Sequence, residues 1–314
     1  MIKSFREVIA KAKNEETRTV AVAVAQDKPV LEAIRDAKAN DIADAILVGD
    51  ADEINSIALK MEMDLSEFEI VNEPNPKKAA LKAVELVSTG KADMVMKGLI
   101  DTASFLRAVL NKEVGLRTGK LMSHIAVFEV KEYDRLLFVT DAAFNMYPDL
   151  KAKIDIVNNG VSVAHAVGID VPKVAPVCAV EVVNPNMPPT LDAAILSKMS
   201  ERGQIKGCIV DGPLALDNAL SEEAAKHKGV TGPVAGKADI FLMPNIEAGN
   251  IMYKSISYTA KPKSGAILVG TAAPVVLTSR ADSHETKMHS IALAALVSNQ
   301  LLGKKSKEKV LLSI

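Results

Sequence analysis

Residues Thr278-Ser279-Arg280-Ala281-Asp282 place a hydroxyl, a guanidinium and a carboxylate side by side. They follow two apolar runs, 266–269 and 274–277, joined by Gly-Thr-Ala-Ala-Pro, and they precede a long segment of helical spacing. A strand, a polar turn and a helix N-terminus in that order gather unpaired backbone N–H groups and the positive end of a helix dipole at one point. That arrangement suits an anion. The planar fork of Arg280 fits phosphate, and Ser279 adds an O–H donor.

A second place repeats the pattern. Lys97-Gly98 ends an apolar run at 92–96, and a helix starting near Asp101-Thr102 carries Ser104 and Arg107. A ligand at the carboxyl edge of a sheet would sit there. The blander alternative is that Asp101 caps the helix and Arg107 lies on its solvated face. Further on, DAAFNMYPD (141–149) is a polar connection after a strand, with Asp141 and Asn145 expected to face a cleft. Pro244-Asn245-Ile246-Glu247-Ala248-Gly249-Asn250 introduces another helix.

The elements that must hold these residues can be read from periodicity. An amphipathic helix opens the chain through Ile2, Phe5, Val8, Ile9 and Ala12. Strands at 17–25, 45–48, 68–71 and 92–96 then alternate with helices at 28–40, 51–61 and 76–88. Such alternation predicts parallel strands in a three-layer α/β sandwich. Strands at 121–130 and 136–140 have no helix between them, so a hairpin interrupts the rhythm and marks a domain border near residue 130. Later strands are expected at 174–182, 207–210 and 239–243, helices at 150–167 and 190–202, and a loop at 226–236. His165, alone in an apolar helix, reads as a satisfied core residue.

Composition narrows the function classes. The 314 residues allow two domains, and 48% hydrophobic with 25% charged residues is an ordinary globular balance. A net charge of −1, four Tyr, seven Phe and no Trp offer neither a basic surface nor stacking platforms for nucleic acid. Cys178 and Cys208 sit in apolar runs without metal-type spacing and read as small buried hydrophobes. The N-terminus lacks the apolar core of a signal peptide, and no run reaches the ~18 apolar residues of a membrane span. A cytoplasmic protein is expected. GPVAGKA (232–238) is one residue short of a phosphate loop and ends in Ala where Ser or Thr would bind magnesium. His284 and His289 are five apart, so their imidazoles leave a common helix face and zinc is not expected. No G-x-G-x-x-G occurs, which speaks against a nicotinamide site.

Three passages taken together are more specific: MKGLIDTASFLRAVL, MPNIEAGNIMYKS and GAILVGTAAPVVLTSRADS. With them the chain resembles the phosphate acetyl/butyryltransferase family from residue 17 to about 301, and FVTDAAFN and TSRADS favour its butyryl branch. The resemblance implies two α/β domains around a cleft, of the isocitrate/isopropylmalate dehydrogenase-like kind. The first would be built from 1–130 plus 265–314 and the second from 131–264. It implies transfer of a short acyl group, butyryl favoured, between CoA and inorganic phosphate. The alternatives are an acetyl-CoA enzyme, a non-catalytic acyl-CoA or acyl-phosphate binder, and a decarboxylating dehydrogenase on the same scaffold. No permanent cofactor and no metal is implied, and a homodimer or larger homo-oligomer is.

Residue by residue, the resemblance gives Ser279 and Arg280 to the reacting phosphate and Arg107 to anion or CoA binding. Lys97, Asp141, Asn145, Asn245, Gly249 and Asn250 join the substrate-binding set. Asp141 matches an aspartate that precedes a family cysteine, but here the next residue is Ala142, so an acyl-cysteine route cannot run through that position. Where the acetyl branch has a basic carboxylate, this chain has Lys287. Asp282 and Glu285 are the neighbouring carboxylates, with His284 a third choice, and Asp282-x-x-Glu285 equally fits a helix cap.

Overall fold

The computed structural model describes residues 2–279 and 282–311, with side chains described as far as 303. The first elements alternate as the pattern predicts: α1 (Phe5–Lys13), β1 (Arg18–Ala23), α2 (Lys28–Ala39), β2 (Ala43–Gly49), α3 (Ala51–Lys60), β3 (Glu69–Asn72), α4 (Pro76–Ser88), β4 (Met94–Lys97) and α5 (Thr102–Val109). The middle comprises β5 (Ser123–Glu129), β6 (Leu137–Thr140), α6 (Leu150–Val167), β7 (Lys173–Cys178), α7 (Pro188–Glu201), β8 (Ile209–Val210), β9 (Leu214–Ala215), α8 (Leu216–Leu220), α9 (Glu222–His227), β10 (Ile240–Leu242) and α10 (Ile246–Ser255). The chain finishes with β11 (Lys263–Val269), β12 (Val275–Val276) and α11 (His284–Leu311). The architecture is mixed α/β.

Contacts group the chain into two compact units. One contains Phe5–Lys120 with residues 265–311, and the other Leu121–Ser264 with residues 2–4. In the first, the strand order is β3-β2-β1-β4-β12-β11. All neighbours are parallel except β11 and β12, which form an antiparallel hairpin through Leu268 and Val275. The strands of the alternating stretch, β1 to β4, are parallel as expected, and the β11–β12 hairpin lies beyond it, because the five residues 270–274 are too few for a crossover helix. β1 is buried along Val20–Ala23, as a strand covered on both faces must be.

α11 covers this sheet. Residues Ile291 to Val297 are all buried, so the helix is apolar around its whole circumference there and packs between α1, α2 and the strands. Gly265 allows the close approach: a Cβ there would lie 3.1 Å from the His289 backbone and from a Leu293 methyl. Side-chain caps start the helices. Asp50, Asn75 and Asp101 each accept backbone N–H groups of the first turn that follows.

The second unit has the order β5-β6-β10-β7-β8, with β9 beside β7. β5 and β6 pair antiparallel, as the helix-free connection predicts, and β6, β10, β7 and β8 run parallel. β9, α8 and α9 lie where periodicity announces nothing; each is too short to show a period. No described helix is long and apolar enough to cross a membrane.

Candidate functional site

The register of β12 on β4, Val276 beside Met96, sets Leu277-Thr278-Ser279 next to Lys97-Gly98 at the carboxyl edge of the first unit's sheet. Ser279 is exposed. The turn after it is tied from three sides. Asp282 accepts the Ser279 N–H at 2.7 Å, and its own N–H donates to the Ser279 carbonyl at 3.2 Å. Lys287 Nζ donates to the carbonyls of Ser279 and Asp282, both at 2.9 Å. Arg280 lies outside the described residues.

α11 begins at His284, and its cap is Ser283, whose hydroxyl accepts the Thr286 N–H at 3.1 Å. The capping alternative for Asp282 and Glu285 is thereby corrected, because the helix starts one residue later than that pattern requires. Asp282 closes the turn instead. Glu285 is exposed on the first helical turn, with Oε1 3.9 Å from His289 Nε2. His289 is buried and stacks on Phe5. His284 points to α2, 3.8 Å from both Glu32 and Asp36. Lys287 is 2% exposed, and burial pushes its pKa below the ordinary lysine value against the opposing fields of Asp282 and Asp27.

Lys97 is also buried, and its Nζ donates to the carbonyls of Gly98 and Ile100. Gly98 must be glycine, since a Cβ would come within 2.1 Å of the Val24 carbonyl. Asp101 caps α5 by accepting the Ser104 N–H at 2.8 Å, a bond that holds its carboxyl below the usual range. Arg107 is exposed on α5. So Asp101 is the cap that the blander reading anticipates, and Arg107 is left presented to solvent.

In the second unit, the connection after β6 folds around one carboxylate. Asp141, expected to face a cleft, is 3% exposed and spends its carboxylate on the loop itself. Its Oδ1 accepts the N–H groups of Ala143 and Phe144. Its Oδ2 accepts from the His124 and Asn145 backbones and from the Asn145 amide at 2.6 Å. The Asn145 amide donates as well to the Met122 carbonyl.

α10 holds this loop from the other side. Asn245 caps the helix through the Ala248 N–H, the Ile246 N–H donates to the Met146 carbonyl, and the Asn250 amide donates to the Ala142 carbonyl. A Cβ on Gly249 would lie 2.2 Å from the Asp141 carbonyl oxygen. The passage MPNIEAGN is thus a clamp on residues 141–146, and all five candidates of this unit meet in it.

Sequence reasoning missed Lys287 as a structural member of the turn. The available signal was its place four residues before Ile291, on the buried stripe of α11. It missed Lys153 too, which is buried and paired with Asp192 at 2.6 Å. Cys178 is buried as expected and Cys208 half-buried, and desolvation pushes both thiols up to about 11. His165 is half-buried with Nε2 2.8 Å from the Gly207 carbonyl, a satisfied residue.

The chain is thus a mixed α/β protein in which a hydroxyl-bearing turn lies between parallel strand ends and a helix N-terminus, a kind of place where anionic ligands are held in such folds. A model of the phosphate acetyl/butaryl transferase family matches residues 4–79 and 68–295. The phosphate butyryltransferase of Clostridium acetobutylicum is 79% identical over 297 residues, 95% of this chain and 99% of the relative. That of Clostridium beijerinckii is 67% identical, over 95% and 98%. Among solved structures, a branched-chain phosphotransacylase from Enterococcus faecalis V583 is 34% identical with a TM-score of 0.80, over 90% of this chain and 99% of that one. The chain belongs to the phosphate acetyl/butaryl transferase family.

Proposed function

We propose that the protein transfers a short acyl group, butyryl by preference, between CoA and inorganic phosphate. The observation that carries this reading is the turn at Ser279–Asp282, built at the carboxyl edge of parallel strands in a chain 79% identical to a phosphate butyryltransferase. CoA is a substrate here, not a resident cofactor. Grouping of Phe5–Lys120 with residues 265–311 supports the two-domain, isocitrate/isopropylmalate dehydrogenase-like organisation, and a homodimer belongs to the same reading.

In this mechanism Arg280 grips the phosphate and Ser279 donates its hydroxyl to the charge that develops as the reacting groups meet. Lys97 and Arg107 add positive charge along the same sheet edge. A phosphate oxygen attacks the thioester carbonyl, the C–S bond breaks, and acyl phosphate and CoA thiolate leave. In reverse the thiolate is the nucleophile, so the CoA thiol must lose its proton. Glu285, exposed on the first turn of α11, is the acceptor we assign, whereas Asp282 is committed to the Ser279 N–H. Asp141, Asn145, Asn245, Gly249 and Asn250 serve by shaping the loop at 141–146. Ala142 offers no nucleophile, which favours direct transfer, and most of the acceleration then comes from positioning two anionic partners.

The test is CoA thiol release from butyryl-CoA and from acetyl-CoA, with and without phosphate. Phosphate-dependent release, faster with butyryl-CoA, is the expected result. Faster release from acetyl-CoA would move the chain to the acetyl reaction, and CoA binding without release would make it a binding protein. Arg280→Ala should depress activity sharply and raise the phosphate KM; an unchanged phosphate dependence would remove Arg280 from this role.

A further inference from the structure

We propose that Lys287 is a positioning residue for phosphate: its ammonium fixes both ends of the Ser279–Asp282 turn and supplies positive charge directly behind it. This rests on reading that turn as the phosphate site. Lys287 Nζ bonds the carbonyl that opens the turn and the carbonyl that ends it, at equal distances of 2.9 Å. Two of its three protons are spent this way. The Ser279 N–H and the Asp282 carboxylate tie the same turn from within. Removing Nζ would leave two carbonyls without that donor and release the segment that carries Ser279 and Arg280.

The acceptors are what make this more than a structural brace. Carbonyls orient an ammonium but do not neutralise it, and Lys287 is 98% buried by its 2% exposure. Among the described residues, the carboxylates whose fields reach it are Asp282, whose Oδ2 accepts the Ser279 N–H, and Asp27 at the start of α2. Glu285, two residues away on α11, is exposed and faces His289, while His284 faces Glu32 and Asp36. Burial prevails over those fields and lowers the pKa. An anion bound in the turn would add to the charge compensation that the described carboxylates provide. Phosphate affinity and proton affinity at Lys287 are then linked, each raising the other. Phosphate binding should weaken at alkaline pH as Lys287 loses its proton, and the onset should fall below the ordinary lysine range.

The experiment measures the phosphate KM and the acyl-CoA KM from pH 7 upward in wild type, Lys287→Gln and Lys287→Met, with Arg280→Ala alongside. Gln keeps a donor for one carbonyl without the charge. The expected result is a phosphate KM about tenfold higher in both variants at neutral pH, the loss of one charge-assisted contact. The acyl-CoA KM should change little, and the alkaline rise in phosphate KM seen in wild type should be absent from the variants. A flat wild-type phosphate KM across the alkaline range overturns the proposal, and that reading needs no variant to fold. So does a Lys287→Gln enzyme with unaltered phosphate KM, or one that retains the alkaline rise. If Arg280→Ala raises the phosphate KM and Lys287→Gln does not, the phosphate site stands and only the role of Lys287 falls. If neither moves it, the site itself is elsewhere.

Discussion

Gly249 touches the backbone of Asp141 so closely that a Cβ at residue 249 would sit 2.2 Å from the Asp141 carbonyl oxygen and 3.0 Å from the Ala142 Cα. Both neighbours are backbone atoms, which cannot rotate away as a side chain can. Gly249→Ala must therefore move α10 or the loop at 141–146. Overpacking of this kind costs about 1–3 kcal/mol. A lowered urea midpoint together with a clear loss of phosphate-dependent thiol release is expected. A variant with wild-type stability and activity would mean that α10 does not set the loop.

Asp141 gathers five N–H donors on two oxygens, three from its own loop backbone, one from the His124 backbone and one from the Asn145 side chain. Asp141→Asn swaps one acceptor oxygen for an NH₂ that would face donors. About 2–3 kcal/mol of stability should go with the charged acceptor. Thermal unfolding checks this directly. An unshifted midpoint would show that the loop does not depend on that carboxylate.

These two cases show what could and could not be read from the chain. Apolar runs at β1, β2 and β4, and cap residues such as Asp50 and Asn75, made the alternating architecture legible because each signal lies within a dozen residues. MPNIEAGN was recognisable as a signature, but its purpose was not, since Asn250 and Gly249 act on residues more than a hundred positions earlier. Asp141 was expected to face a cleft, and the contacts it makes within the fold were not legible from its connection. Its donors include His124, seventeen residues away on a neighbouring strand, and no local pattern encodes that pairing. Likewise the Asp282-x-x-Glu285 pattern fits a cap in the sequence, and the start of α11 at His284 gives that place to Ser283 instead.

Asp282 and Glu285 should separate by substitution. Asp282→Asn keeps an oxygen for the Ser279 N–H, so it should retain much more activity than Asp282→Ala, which opens the turn. Glu285→Gln removes a proton acceptor and should lower kcat by about 10²–10⁴-fold, the usual contribution of a positioned base. Steady-state kinetics in the acyl-phosphate direction make the comparison. Equal and severe losses in Asp282→Asn and Asp282→Ala, with Glu285→Gln active, would transfer the base to Asp282.

Lys287 also has a signature in stability. Its pKa is lowered in the folded protein, so between that value and the unfolded value of 10.5 the unfolded chain binds more protons. Stability from this group rises with pH across the window, and the penalty for a buried ammonium is fully present below it. Lys287→Met should lack that rise. Urea midpoints of variant and wild type, followed from pH 8 to 10.5, should diverge in favour of wild type; parallel curves would place the Lys287 titration outside this range.

Direct transfer makes a prediction about the cysteines. Cys178 and Cys208 are the two thiols of the chain, and desolvation raises both to about 11. A thiolate is the reactive form, and at neutral pH a thiol of that pKa is ionised only about one part in 10⁴. Lys153 lies near enough to Cys178 to favour its thiolate, but it is paired with Asp192 at 2.6 Å, and burial prevails. Neither thiol is poised to carry an acyl group, and Ala142 has none to offer. The double variant Cys178→Ala, Cys208→Ala should fold and retain phosphate-dependent thiol release within about threefold of wild type, a change under ~1 kcal/mol. Acyl-enzyme should not accumulate when wild type is mixed with butyryl-CoA in the absence of phosphate, as intact mass would report. A mass increase of one butyryl group on wild type that disappears in the double variant would replace direct transfer with a covalent route through a buried cysteine.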